Sequence, residues 1–192
     1  MKIILFLLGL FLFLHAGVEE STTSMMENNS KKVTSILKDK SIPKKKQDEE
    51  LIKIVNPLFD FKLMGTLCLG KTEYNALTSE QKSRFHTVFN RKIKDSYIAK
   101  LHLYTDEKLE FEKAKILKNG RMMLQSYLIT KTERKPVVYK FYESDDKKWL
   151  IYDVDIFGVS IVQTYRNQFA AALKTKSFDQ FLAELNTDLP EK

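Results

Sequence analysis

The chain has little of what usually announces chemistry. It contains one cysteine, Cys68, which excludes an internal disulfide and any multi-cysteine zinc or iron–sulfur site. Flanked by Leu67 and Leu69, that cysteine reads as a small buried hydrophobe rather than a nucleophile. Glycine (6) and proline (4) are scarce, so collagen-like and Gly/Pro-rich low-complexity chains are excluded. No G-x-S-x-G, P-loop or dinucleotide-binding glycine pattern occurs. Histidine numbers 3; beyond His15 only His86 and His102 remain, and their separation is not that of a metal-binding pair. No metal and no cofactor is expected. After Leu14 there is no long apolar run either.

What is present describes a protein with a real core. Hydrophobic residues make up 43% and charged ones 30%, with 13 Phe and 8 Tyr; that balance is globular and excludes disorder. The formal charge is +7. A basic balance admits nucleic acid, anionic lipid or acidic protein partners. The lysines are spread along the chain rather than grouped with aromatics, which argues against nucleic acid. Lys2 precedes an apolar run from Ile3 to Leu14, followed by His15-Ala16 before Gly17. A basic start, a short apolar run and a small residue at the cut site predict a cleaved secretory signal peptide over residues 1–16. The run is too short to cross ~30 Å of hydrocarbon comfortably, a short uncleaved anchor being the alternative, and no Cys follows it to carry a lipid anchor. The mature protein is then one domain, residues 17–192, exported across a membrane.

Spacing divides that domain into a mainly helical part (17–105), a sheet (106–157) and C-terminal helices (158–192). A first helix ends near Lys40, a basic turn holds Pro43 and Lys44 to Lys46, and a second helix starts near Asp48, with Leu51, Ile52, Val55 and Leu58 as its stripe. Phe59 to Leu69 is apolar and stops at Gly70, a helix C-terminus. Thr78-Ser79-Glu80-Gln81 is a capping box; the helix after it carries Phe85, Phe89, Ile93, Tyr97 and Leu101 on one face. Past Thr105 the period becomes two. Four strands follow: Leu109 to Lys118, Met122 to Thr130, Pro136 to Tyr142 and Trp149 to Ile156, the first pair joined by Asn119-Gly120. A helix opening at Gly158 or Ser160 carries Val159, Val162 and Phe169, and Ser177 to Gln180 is a second capping box. The fold class is α+β: a twisted four-stranded antiparallel sheet covered by amphipathic helices, with room for an apolar cavity between them. Asp153 and Asp155 alternate on the fourth strand and could be acid and base or metal ligands. The favoured reading makes theirs the wet face, with Tyr152, Val154 and Ile156 pointing inward.

Two stretches are more specific. Trp149 to Phe169 reads WLIYDVDIFGVSIVQTYRNQF, which resembles the C-terminal signature W-x-V-Y-D-V-x-x-x-G-V-S-L-V-x-x-Y-R-x-Q-F of the MlaC family of toluene-tolerance proteins. Upstream, Pro57 to Phe61, Leu69-Gly70-Lys71, and Leu77 to Gln81 with Phe85 resemble that family's P-x-x-D-F, L-G-[RK] and x-T-x-E-Q-x-x-x-F, in the same order. Val138-Tyr139 before a basic residue resembles its third-strand pattern. Where family members often carry a Trp after L-G-[RK], this chain offers Tyr74.

The resemblance implies a periplasmic phospholipid shuttle of a Gram-negative envelope. Its fold would be similar to nuclear-transport-factor-2-like domains with an added helical part. It would hold acyl chains in an apolar cavity and work as a monomer between an outer-membrane lipoprotein–porin complex and an inner-membrane ABC transporter with an MCE-domain ring. The cavity wall would come from Leu63, Met64, Leu67, Phe85, Phe89, Tyr97, Tyr139, Phe141, Tyr152, Val154, Val159, Val162 and Phe169. Met64, Met122 and Met123 would add adaptable surface, and Arg166 is the candidate for the phosphate headgroup. Two other readings stand beside it. A cavity-fold isomerase or dehydratase would need Asp153, Asp155 or His86 inside the pocket. A non-lipid envelope adaptor would show a closed core and a large exposed apolar patch.

Overall fold

The structure, a computed structural model, describes residues 4–102 and 107–187, with side chains from residue 17 onward. Seven helices run α1 (Ile4–Lys38), α2 (Lys44–Val55), α3 (Phe61–Leu69), α4 (Lys71–Ala76), α5 (Ser79–Leu101), α6 (Ile161–Leu173) and α7 (Phe178–Thr187), with a 3-10 turn over Asn56–Leu58. Six strands, β1 (Lys108–Phe111), β2 (Lys115–Ile116), β3 (Met122–Ile129), β4 (Arg134–Glu143), β5 (Trp149–Ile156) and β6 (Val159–Ser160), form one antiparallel sheet. The fold class is α+β. Among the described residues no helix is long and apolar enough to cross a membrane. The expected cut after Ala16 falls within α1, and the expected boundary at Thr105 lies outside the described residues.

Both capping boxes form. Thr78 accepts from the Gln81 N–H while Gln81 accepts from the Thr78 N–H, and Ser177 and Gln180 do the same before α7. Each box satisfies two helix-end donors that have no partner within the helix. The turn expected over Lys44 to Lys46 is helical instead: α2 starts at Lys44 behind Pro43, because proline is well suited to the edge of a helix and is excluded only from its interior.

The sheet has more strands than expected, for two local reasons. The first expected strand is broken into β1 and β2, which both pair with β3. Across the break, the Ala114 and Ile116 N–H groups donate to Thr23 Oγ1 (2.9 Å) and Glu19 Oε1 (2.7 Å) of α1. A helix thus takes the place of a neighbouring strand. The extra strand, β6, returns against β5 through a two-residue turn at Phe157 and Gly158, whose φ values are 55° and 84°. Positive φ at both central residues is what a tight hairpin between twisted strands needs.

A bulge decides which side chains face inward. Lys140 pairs with Asp153 but Phe141 pairs with Ile151, so Tyr152 is the extra residue. Strand partners share a face, and the core face carries three rows across β3, β4 and β5: Met122–Phe141–Ile151, Leu124–Tyr139–Val154 and Ser126–Val137–Ile156. Tyr152 is thereby turned to the opposite face, where its ring meets Tyr142 edge-on at 6.3 Å and Arg121 lies over both. This corrects the expectation that Tyr152 points inward.

The opposite face is not simply wet. Asp153 is buried and accepts from Lys140 Nζ (3.0 Å), Ser160 Oγ (2.7 Å) and the Val162 N–H (3.1 Å). Ser160, the N-cap of α6, accepts from the Gln163 N–H. Two first-turn donors of α6 are therefore satisfied from β5 and its hairpin. Lys140 also reaches Asp155 at 2.6 Å.

Three clusters make up the interior. One packs α3, α5, α6 and α7 through Met64, Phe85, Phe89, Phe169 and Phe181. A second lies between the sheet and the middle of α1, around Val18, Met25 and Met26. A small third joins Leu37, Leu51 and Ile98 of α1, α2 and α5. In the first cluster Gly65 lets α3 approach α5 closely: a Cβ there would stand 2.9 Å from Phe89 Cδ1.

Candidate functional site

A cleft lies where the three clusters meet. Its cavity volume is about 70 Å³, well below the range of about 300–1,000 Å³ common for small-molecule sites, so the cleft is nearly closed and a ligand of any size requires its walls to part. α1 supplies one wall, with Met26, Asn29, Ser30, Val33, Thr34 and Leu37. Ile54, Val55, Leu58 and Phe59 follow from the end of α2 and the turn after it. Tyr97 and Leu101 come from the last turns of α5, and Leu109, Phe111 and Tyr139 from the core face of the sheet.

Local chemistry puts these residues there. Asn56 and Pro57 end α2 in a single 3-10 turn. The chain then runs beside β5, where Phe59 bridges to Ile151 and the Asp60 N–H donates to the Ile151 carbonyl (2.9 Å). Asp60 next caps α3 by accepting from the Leu63 N–H and takes a short hydrogen bond from the Tyr142 hydroxyl. Phe59 is thus fixed at the cleft floor, stacked on Phe61 at 5.3 Å and tilted against Tyr97 at 6.1 Å. Phe111 stacks on Tyr139 at 6.3 Å.

α1 is held at both ends of the cleft. Glu19 and Thr23 tie its middle to the broken sheet edge. At its far end, Gln47 of α2 donates to the Ile36 and Asp39 carbonyls at 3.0 and 2.8 Å. The helix therefore spans the cleft as a strap.

The wall carries no Lys, Arg, Asp or Glu among the described residues. Its ionisable groups are Tyr97 and Tyr139. Burial pushes the Tyr139 hydroxyl up to about 12 and that of Tyr97 higher still, so both are neutral at any physiological pH. An apolar wall with a few neutral hydrogen-bonding groups can hold a hydrocarbon-bearing ligand. It holds no general acid or base that titrates near neutrality.

Of the side chains expected along the cavity, Tyr97 and Tyr139 are on the cleft wall. Met64, Phe85, Phe89, Val162 and Phe169 are instead inside the helical cluster, with Leu67 packed against it. The reason is geometric: the α5 stripe runs for six turns, and only its last turns reach past α3 and α6 toward the sheet. Phe141 and Val154 fill the cluster under α1. Leu63 is half-buried on α3 and Tyr152 is on the other face of the sheet. Val159 is 59% exposed, since it belongs to β6 rather than to a helix. Arg166 is exposed, with its guanidinium 3.7 Å from where a Cβ of Gly70 would stand. That places a cation by the C-terminus of α3, where the helix dipole favours it, and off the cleft wall.

The candidate catalytic groups are placed elsewhere too. Asp153 anchors α6, Asp155 pairs with Lys140, and His86 Nε2 lies 2.9 Å from the Tyr74 hydroxyl. His102 pairs with Asp48, away from His86. Cys68 is fully buried, and burial pushes its thiol up to about 12, which leaves it unreactive.

The residues that sequence reasoning missed are chiefly those of α1. Met26, Val33 and Leu37 show helical spacing, but Asn29, Ser30 and Thr34 between them dilute it. Leu109 and Phe111 are legible only as strand residues; that their face lines a cleft follows from where α1 crosses.

Comparison with known proteins bears on this geometry. Residues 27–187 match the family model described as MlaC protein. A curated relative from Haemophilus influenzae, the intermembrane phospholipid transport system binding protein MlaC, is 22% identical over 95% of this chain and 89% of its own length. A solved structure with the same fold is that of a phospholipid-binding protein from Ralstonia solanacearum in complex with a phospholipid. The two superpose with a TM-score of 0.74 and 21% identity over 88% of this chain and 98% of that one.

Proposed function

The chain belongs to the MlaC family, and from that premise we propose that it is a phospholipid carrier of intermembrane transport. The observation that carries this reading is the apolar, charge-free cleft between α1 and the sheet, about 70 Å³ as it stands, which acyl chains would enter as α1 parts from the sheet. Hiding them from water is the energetic core of such a task. At ~0.8 kcal/mol per buried CH₂, two acyl chains amount to tens of kcal/mol of transfer free energy. The names of the relatives fit: one is a phospholipid transport binding protein and the other was solved with a phospholipid.

Residues 1–16 are removed as a signal peptide and residues 17–192 work in the periplasm as a monomer. The protein receives lipid from an outer-membrane lipoprotein–porin complex or an inner-membrane MCE-domain/ABC transporter and delivers it to the other. It is a binder and not an enzyme, because Asp153, Asp155 and His86 are committed to Lys140, α6 and Tyr74 rather than to the cleft. The expected wall is revised accordingly. Acyl chains lie against Tyr97, Tyr139 and the side chains of α1, while Met64, Phe85, Phe89 and Phe169 form the rigid scaffold beside it. Lipid extraction from the purified native protein, followed by mass spectrometry, tests the reading. Co-purified phospholipid at a fixed ratio is expected. Protein that carries no lipid and takes up none from vesicles would contradict it.

A further inference from the structure

The cleft face of α1 is not uniformly apolar, and its polar part forms an ordered row. Met26, Ser30, Thr34 and Lys38 follow each other at intervals of one turn along one side of the helix. Met26 is buried, Ser30 and Thr34 are half-buried on the cleft wall, and Lys38 is exposed. Polarity thus rises along the row from a thioether through two hydroxyls to a cation. Val33 and Leu37 continue the apolar wall beside it.

The hydroxyls are uncommitted. A threonine within a helix commonly bonds the carbonyl four residues back, and Thr23, Thr66, Thr87 and Thr164 all do so here. Among the described residues, Ser30 and Thr34 have no such bond and no other side-chain partner. Two free hydroxyl donors facing an apolar cleft, with no charged group on its wall, match one part of a phospholipid. That part is the pair of ester carbonyls between the acyl chains and the phosphate, which accept hydrogen bonds and carry no charge.

We infer that Ser30 and Thr34 form an ester-binding subsite, donating hydrogen bonds to the ester carbonyls of a bound diacyl lipid. The inference rests on the carrier reading above and sharpens it. Selection acts on the ester linkage at the neck of the lipid, and the headgroup leaves the cleft toward the exposed Lys38 end of α1 rather than toward Arg166.

The test compares two lipids and two proteins. Purified protein and its Ser30→Ala, Thr34→Val double variant are incubated with vesicles of diester phosphatidylglycerol or of its diether analogue, which lacks both carbonyls. Bound lipid is measured by mass spectrometry. The wild type is expected to favour the diester by about tenfold, the size set by two neutral hydrogen bonds. The double variant is expected to lose that preference, and a circular dichroism spectrum and melting curve like those of the wild type are expected to show that it is folded. Equal loading of both lipids by the wild type, or an unchanged preference in the variant, overturns the subsite. Failure of the wild type to load either lipid overturns the carrier reading itself.

Discussion

Asp153→Asn tests how the sheet and the C-terminal helices are joined. The Asp153 carboxylate is buried and accepts three hydrogen bonds from three elements: Lys140 of β4, Ser160 of the β5–β6 hairpin and the Val162 N–H of α6. Lys140 and Ser160 both converge on Oδ2, while the Val162 N–H takes Oδ1. An asparagine can keep its oxygen toward Val162, but its amide then faces the lysine ammonium with a donor. Hydrogen bonds to charged groups contribute about 1.5–3 kcal/mol each, and two of the three are lost. A destabilisation of about 3–6 kcal/mol follows, which at about 2–4 °C per kcal/mol for a domain of this size is a fall of about 6–24 °C in Tm. Thermal unfolding followed by circular dichroism measures it. Asp155→Asn is the control: Asp155 is more exposed and meets Lys140 alone, so its loss costs about 1 kcal/mol. A Tm for Asp153→Asn within about 2 °C of wild type, or equal to that of the control, would refute the anchoring role.

Other predictions follow from the same geometry. Val33→Trp on the α1 wall is expected to fill the cleft and reduce co-purified lipid at least severalfold, at an overpacking cost of about 1–3 kcal/mol; unchanged lipid content in a folded variant would count against the cleft as the lipid site. Gly65→Ala is expected to cost about 1–3 kcal/mol in a melting experiment, because the new methyl meets the Phe85 and Phe89 rings at 3.2 and 2.9 Å. For His86, burial first, and Lys62 second, hold the imidazole below its ordinary 6.5. A histidine so depressed stabilises the fold fully above pH 6.5 and loses that contribution as pH falls from there through the lower folded value. Melting between pH 7.5 and 5 should therefore show an acid-side loss that is smaller in His86→Gln; an identical profile in the two proteins would refute it.

Much of the architecture is legible in the sequence because its signals are local. Thr78 with Gln81, Ser177 with Gln180, and Gly70 at a φ of 89° each mark a helix end through their own chemistry. The limits of β5 were readable for the same reason, since the charged turn Ser144 to Lys148 precedes it and Gly158 follows it. What escaped is what depends on partners far along the chain. The bulge at Tyr152 arises in the pairing of β4 with β5 and inverts the inward set from Tyr152 to Ile151. The break between β1 and β2 is stabilised by Glu19 and Thr23, about ninety residues upstream. The cleft wall was misjudged most at α5. A stripe at helical spacing records that a face is covered, not whether helices or a ligand cover it, and here α3, α6 and α7 cover Phe85 and Phe89. The family string from Trp149 to Phe169 proved sound for recognition, yet its Arg166 stands over Gly70 and its Val159 faces solvent.

The most direct measurement of the central claim is where a bound lipid touches the protein. A phospholipid with a photoreactive group near the end of one acyl chain, loaded from vesicles and irradiated, would be mapped by peptide mass spectrometry. Adducts are predicted on the cleft wall: α1 between Met26 and Leu37, Leu58 and Phe59, Tyr97, Phe111 and Tyr139. Adducts concentrated on Met64, Phe85 or Phe169 in the helical cluster, or no adduct above that of unloaded protein, would contradict the account.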